Sequence, residues 1–141
     1  MYATQRHNEQ LVRLTLTGLA DLGKVREAVR ELLTGCTQED VIDSVLVADE
    51  LSTLACEYGN LPAGVCLIRS YRRPSLRMAV TVPHLVLPTA PSRSRTSRYL
   101  LEACTTDWGI GNSGEYMTLW ACIRVGALLD DELPLPRIPA S

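Results

Sequence analysis

The chain predicts an α+β two-layer sandwich, a mixed β-sheet with helices on one face. Three observations carry this: a strand-like alternation followed by two helical patterns, two further strands in succession, and one late helix ahead of a final strand pair. At 141 residues the chain is one domain, with 46% hydrophobic and 21% charged residues, enough apolar surface to close a single core.

The elements are taken in chain order. Across residues 10–16, Leu11, Arg13 and Thr15 alternate with Val12, Leu14 and Leu16, which predicts a first strand. Gly18 to Asp21 turns the chain. Over 22–33, Val25, Ala28, Val29, Leu32 and Leu33 recur at helical spacing among Lys24, Arg26, Glu27, Arg30 and Glu31, and Gly35 ends that helix. Thr37 with Asp40 three residues on resembles a capping box and opens a second helix over 38–58, closed by Gly59-Asn60-Leu61-Pro62. Strands are predicted at 64–70 and 76–82. Residues 83–97, with Pro83, Pro88 and Pro91 among Ser, Thr and Arg, read as a loop. A short helix at 98–106 precedes strands at 108–110 and 116–125, set around a Gly111-Asn112-Ser113-Gly114 turn. The domain core is placed at about 10–125, and 126–141, with Pro134, Pro136 and Pro139, is expected to be an extended tail.

Fourteen basic against sixteen acidic residues leave a formal charge of −2, which argues against direct nucleic-acid binding and membrane-surface binding. The N-terminus is polar, and no apolar run reaches a membrane span, so the expected location is cytoplasmic. Five scattered cysteines without a C-x-x-C pair read as reduced core thiols and suggest neither a zinc site nor a disulfide framework.

Asp49-Glu50-Leu51-Ser52-Thr53-Leu54-Ala55, near the end of the second helix, resembles the nucleotide-binding helix of the histidine-kinase-like (Bergerat-fold) ATPases, most closely the anti-sigma-factor serine kinases of bacteria. Asp107-Trp108-Gly109-Ile110 resembles that family's R-W-G-V, and Thr118-Leu119-Trp120 its closing T-V-W strand. The resemblance implies the histidine-kinase-like ATPase fold. It also exposes departures. The family's helix reads E-L-x-x-N-A, its asparagine helping to hold magnesium on the ATP phosphates, and here that position is Leu54. The strand that ends V-x-D in the family, its aspartate meeting the adenine amino group, ends here at Val82. The glycine box G-R-G-L becomes Arg95-Thr96-Ser97-Arg98, without the glycines that bring backbone amides to phosphate.

The resemblance then implies a degenerate site with pocket positions Leu54, Val82, Arg95, Ser97 and Thr118, no metal site, and no cofactor. The expected function is a non-catalytic, anti-sigma-factor-like regulator of bacterial transcription, a pseudokinase. Its partners would be a sigma factor, an anti-sigma antagonist or another transcriptional regulator, with a homodimer also open. The first strand and first helix are the expected partner or dimer face. Two alternatives stand beside this. One is an active serine kinase using ATP and magnesium, with Glu50 as general base. The other is a small-molecule sensor built in the emptied pocket. A large closed pocket lined by Leu54 and Val82 would favour the sensor, and one filled by Leu85 to Leu87 would count against both.

Other residues read more blandly. Asp43, Glu50 and Glu57 recur at intervals of seven, a solvated acidic stripe or a docking stripe. Asp49 and Glu50 point about 100° apart and form no dyad. Arg93, Arg95 and Arg98 form a basic cluster, either solvated or meeting an anion or acidic partner. His7 lies in a frayed terminus. His84 could serve a Cys-His nucleophile only with a suitably placed cysteine. Leu85-Val86-Leu87 either packs over the pocket or makes a dimer contact.

Overall fold

The computed structural model describes residues 2–6, 8–87 and 91–126, with side chains for 8–87 and 95–126. His7, residues 88–90, the side chain of Arg93 and the expected tail from 127 onward lie outside the described residues.

Among the described residues, six strands form one sheet in the order β1-β2-β3-β4-β6-β5. They are β1 (Tyr2–Arg6), β2 (Glu9–Leu16), β3 (Ala63–Ser70), β4 (Ser75–Pro83), β5 (Asp107–Ser113) and β6 (Tyr116–Arg124). Three helices, α1 (Leu22–Leu32), α2 (Gln38–Tyr58) and α3 (Pro91–Cys104), complete the α+β sandwich. Alternation decides the layers. Val12, Leu14 and Leu16 of β2, Val65 and Leu67 of β3, Met78, Val80 and Val82 of β4, and Leu119, Ala121 and Ile123 of β6 are buried under the helices. The opposite face carries exposed Arg13, Thr15, Arg77 and Arg124, with half-buried Ile68 and Trp120.

Every ladder is antiparallel, where a mixed sheet was expected. The cause is an even number of intervening elements. Two helices separate β2 from β3, and α3 with β5 separates β4 from β6, so each return strand runs opposite to its neighbour. β1 was not anticipated, because its sequence has no apolar alternation. The β2 edge supplies it with backbone partners from Tyr2↔Arg13 to Arg6↔Glu9, and Asn8 takes the left-handed conformation at the turn (φ 71°).

α3 begins at Pro91, seven residues ahead of the predicted start. Proline costs nothing in a first turn, where its missing N–H has no intrahelical acceptor. The β5–β6 turn is Gly114-Glu115 rather than 111–114: Ser113 pairs with Tyr116, and Gly114 sits at φ 63°. α2 matches its predicted limits. The Thr37 hydroxyl accepts the Asp40 N–H at 3.2 Å. The Asp40 carboxylate is too short to reach back as a capping-box acid. It accepts the Gly126 N–H instead, at 2.7 Å, while Gly126 O accepts the Thr37 N–H at 3.1 Å, so the end of β6 is tied to the start of α2.

One inward position on β3 breaks the apolar rule. Arg69 is 5% exposed, and its Nη1 donates to the Leu32 carbonyl at 2.8 Å, capping the C-terminus of α1. Its guanidinium lies 4.5 Å from the centre of the Tyr71 ring. Replacing it with methionine keeps the stem but strands the Leu32 carbonyl. Arg69→Met is expected to lower stability by about 2 kcal/mol. Urea denaturation would show this as a lower midpoint at unchanged slope, and an unchanged midpoint would mean the carbonyl finds another donor.

Candidate functional site

α2 is the scaffold of the site, and its two adjacent carboxylates serve different neighbours. Asp49 accepts Arg26 Nε of α1 at 2.9 Å, a bond that raises the guanidinium pKa. Glu50, about 100° round the helix, accepts the Ser97 hydroxyl of α3. Ser97 is buried and Glu50 half-buried. Two turns earlier, half-buried Asp43 lies beside Cys104, whose thiol is pushed up first by burial and then by that carboxylate. Asp43 and Glu50 thus belong to the α2–α3 seam, and of the acidic row only Glu57 is exposed. A row of period seven drifts slowly around a helix, so a third helix lying alongside covers two of its members.

Leu54 is buried at the wall of an apolar cavity of about 130 Å³ between α2, α3 and the β5–β6 hairpin. Leu51, Leu101, Leu119, Trp108 and Leu87 share the lining, with Ser97 and Arg98 at its polar side. The structure therefore brings Glu50, Leu54 and Ser97 together. Three other expected pocket positions do not join them. Val82 is fully buried but packs against the end of α2 and is not part of the lining. Its γ-carbons lie 2.7 and 2.8 Å from where a Cβ on Gly59 would stand, so only glycine permits this approach. Thr118 faces the other side of the sheet, its hydroxyl 2.9 Å from that of Thr81, because side chains alternate along β6 and Leu119 takes the helix side. Arg95 is exposed on α3, away from the lining.

The segment after β4 folds back over α2. Asn60 N–H donates to the Pro83 carbonyl and Val86 N–H to the Tyr58 carbonyl, both at 2.9 Å, and His84 N–H donates to the Glu115 carbonyl at 3.1 Å. Leu85 is consequently buried (6% exposed), Leu87 lines the cavity, and Val86 points outward at 73% exposure. The segment packs down onto the end of α2, and Leu87 forms part of the cavity wall while Leu85 lies outside it. His84, held at φ 54°, has its Nε2 3.5 Å from a Glu115 carboxylate oxygen.

Trp108, Leu101 and Arg98 were not expected at the site. The Arg98 guanidinium stacks 5.6 Å from the centre of the Trp108 ring. The available signal was the helical spacing of Ser97, Arg98 and Leu101, hidden once 83–97 reads as loop. All five cysteines are free. Burial pushes the Cys36, Cys56 and Cys104 thiols up, so none of these three is an activated nucleophile. No group of three or more metal-ligating side chains occurs among the described residues, nor is any helix among them long and apolar enough to cross a membrane.

The Val82–Gly59 approach makes a direct prediction. Gly59→Ala is expected to cost about 2 kcal/mol through overpacking. Val82→Ala in the same chain should return part of that loss, and a double-mutant cycle with coupling below about 0.5 kcal/mol would show the two sites to be independent.

No family model and no curated protein matches the chain. Among solved structures it is similar to the crystal structure of the RsbU and RsbW domains of Rv1364c from Mycobacterium tuberculosis, with a TM-score of 0.66 at 19% identity. The alignment covers 82% of this chain and 32% of that one, so this chain spans about a third of the solved protein. At such identity the likeness is one of fold, an α+β sandwich shared with part of that structure.

Proposed function

We propose that this chain is a non-catalytic, anti-sigma-factor-like regulator that works by binding a protein partner. The partner is a sigma factor, an anti-sigma antagonist or another transcriptional regulator. The observation that carries the reading is the state of Glu50, the carboxylate a kinase would use as base. It accepts the buried Ser97 hydroxyl from the helix that replaces the phosphate-binding glycines. A general base needs its lone pair directed at a substrate proton beside a phosphoryl group. Here that direction is occupied by α3.

The surroundings support the same reading. Magnesium takes oxygen ligands in octahedral geometry, and Leu54 offers none. An aspartate at position 82 could read an adenine edge; Val82 cannot, and its methyl groups are packed on Gly59. Ligand pockets of ordinary size are about 300–1,000 Å³, against about 130 Å³ for this cavity. The residues present do not fit a magnesium–nucleotide pair.

For the partner face we favour the surface between β2 and α1, an open groove bordered by Arg13, Thr15, Asp21, Lys24, Glu27 and Glu31. Charges of both signs alternate there, which suits recognition by complementary charge more than by buried apolar area. Binding would then be governed by competition between partners for one surface.

Two measurements test the proposal. Titration with ATP and magnesium should show no binding in the micromolar range, and incubation with labelled ATP should leave candidate antagonists unlabelled. Micromolar affinity or label transfer would overturn the non-catalytic reading. Affinity for a purified sigma factor or antagonist should fall by about tenfold or more on reversing Lys24 and Glu27 together. An unchanged affinity would move the partner face elsewhere.

A further inference from the structure

The cavity beside Leu54 lies apart from the favoured partner face between β2 and α1. It holds about 130 Å³, and Leu51, Leu54, Leu101, Leu119 and Trp108 make it almost wholly apolar. Enclosed cavities near this size with aliphatic and aromatic walls take up benzene, and this one keeps such walls while opening to solvent beside Ile110 and Arg98. The polar groups at its edge are already engaged with one another. Ser97 donates to Glu50, and Arg98 stacks on the outer face of the site against Trp108 and lies 4.0 Å from Glu102. A ligand bearing a charge or an unmet hydrogen-bonding group would lose its water there without compensation.

The geometry points to a binding site for one small, uncharged hydrophobic molecule, a single aromatic ring or compact hydrocarbon of about six to eight non-hydrogen atoms. Half-exposed Ile110 and exposed Arg98 stand among the lining residues, which gives the site a route to solvent. An occupant touches α2 through Leu51 and Leu54, α3 through Leu101, and the hairpin through Trp108 and Leu119. It would therefore brace α3 against α2 and the hairpin. The inference rests on the reading that this pocket is not a nucleotide site, and it stands whichever protein the chain binds.

The test uses the full chain with benzene and toluene as probes, benzoate and benzylamine as charged controls, and thermal unfolding with tryptophan emission as readouts. At about ten times its dissociation constant, benzene or toluene should raise the unfolding midpoint by about 3–6 °C and shift the Trp108 emission, while the charged analogues do neither. Leu101→Phe, which fills the cavity, should abolish the effect, and Leu54→Ala, which enlarges it, should move the preference from benzene toward indole. The site is overturned if neither neutral probe acts, if the charged analogues act equally, or if a folded Leu101→Phe responds as the unaltered chain does. If Leu101→Phe does not fold, Leu54→Ala decides, and an unaltered size preference overturns the site. A midpoint rise with magnesium–ATP instead would count against the non-catalytic proposal while leaving the response to benzene to be judged on its own.

Discussion

The site depends on one close approach, that of Val82 to Gly59. Two methyl groups occupy the volume where any other residue at 59 would place its Cβ, so the end of β4 lies directly on the last turn of α2. That contact sets the path of the chain beyond β4. Pro83 and Val86 are near enough to exchange backbone hydrogen bonds with Asn60 and Tyr58, and the two bonds turn the strand back across the helix. Leu85 is then driven into the core and Leu87 to the cavity wall. An aspartate at 82 would resist this arrangement, since burying its carboxylate against a helix end without a donor is strongly unfavourable. The apolar residue at 82 and the packed-down segment are one structural fact.

α2 joins the rest. Its consecutive carboxylates diverge because the helix turns 100° per residue, and the divergence lets one helix hold two: Asp49 holds α1 through Arg26, and Glu50 holds α3 through Ser97. The first bond joins two half-buried side chains that water still reaches, and it contributes little by itself. The second has a buried donor, and it fixes the register of α3 over the cavity. Glu50 is thus a positioning group in this structure. The family resemblance that singled it out as a base and the geometry that engages it describe the same residue in two settings, one with a nucleotide beside it and one with a helix.

Much of the fold was legible because α2, β3 and β4 carry their own signals. Thr37 caps, Gly59 closes, and strict alternation runs through Val65, Leu67, Met78 and Val80. Where the signal was weak, tertiary context decided. β1 has no apolar pattern and exists because β2 offers an edge. Pro91, Arg93 and Arg95 resemble loop composition, yet proline at a helix start and an exposed arginine such as Arg95 are both compatible with helix. The site was half legible. Leu54 and Ser97 could be placed by comparison with a motif, but Thr118 could not, because a one-residue difference in strand phase moves a side chain to the opposite face. Trp108 was quoted only as part of a motif. Its role emerges when α3 is long enough to lay Arg98 across its ring.

α3 is held by its own side chains. Residues 95–98 lie inside this helix, which is anchored by Ser97 to Glu50 and by Leu101 among Leu51, Leu54 and Leu119. Nothing in that anchoring calls for a nucleotide. The small cavity marks a place where packing between α2 and α3 is incomplete, and an unfilled apolar space weakens the packing around it in proportion to its size. A molecule that filled it would act on the same contacts that now position α3.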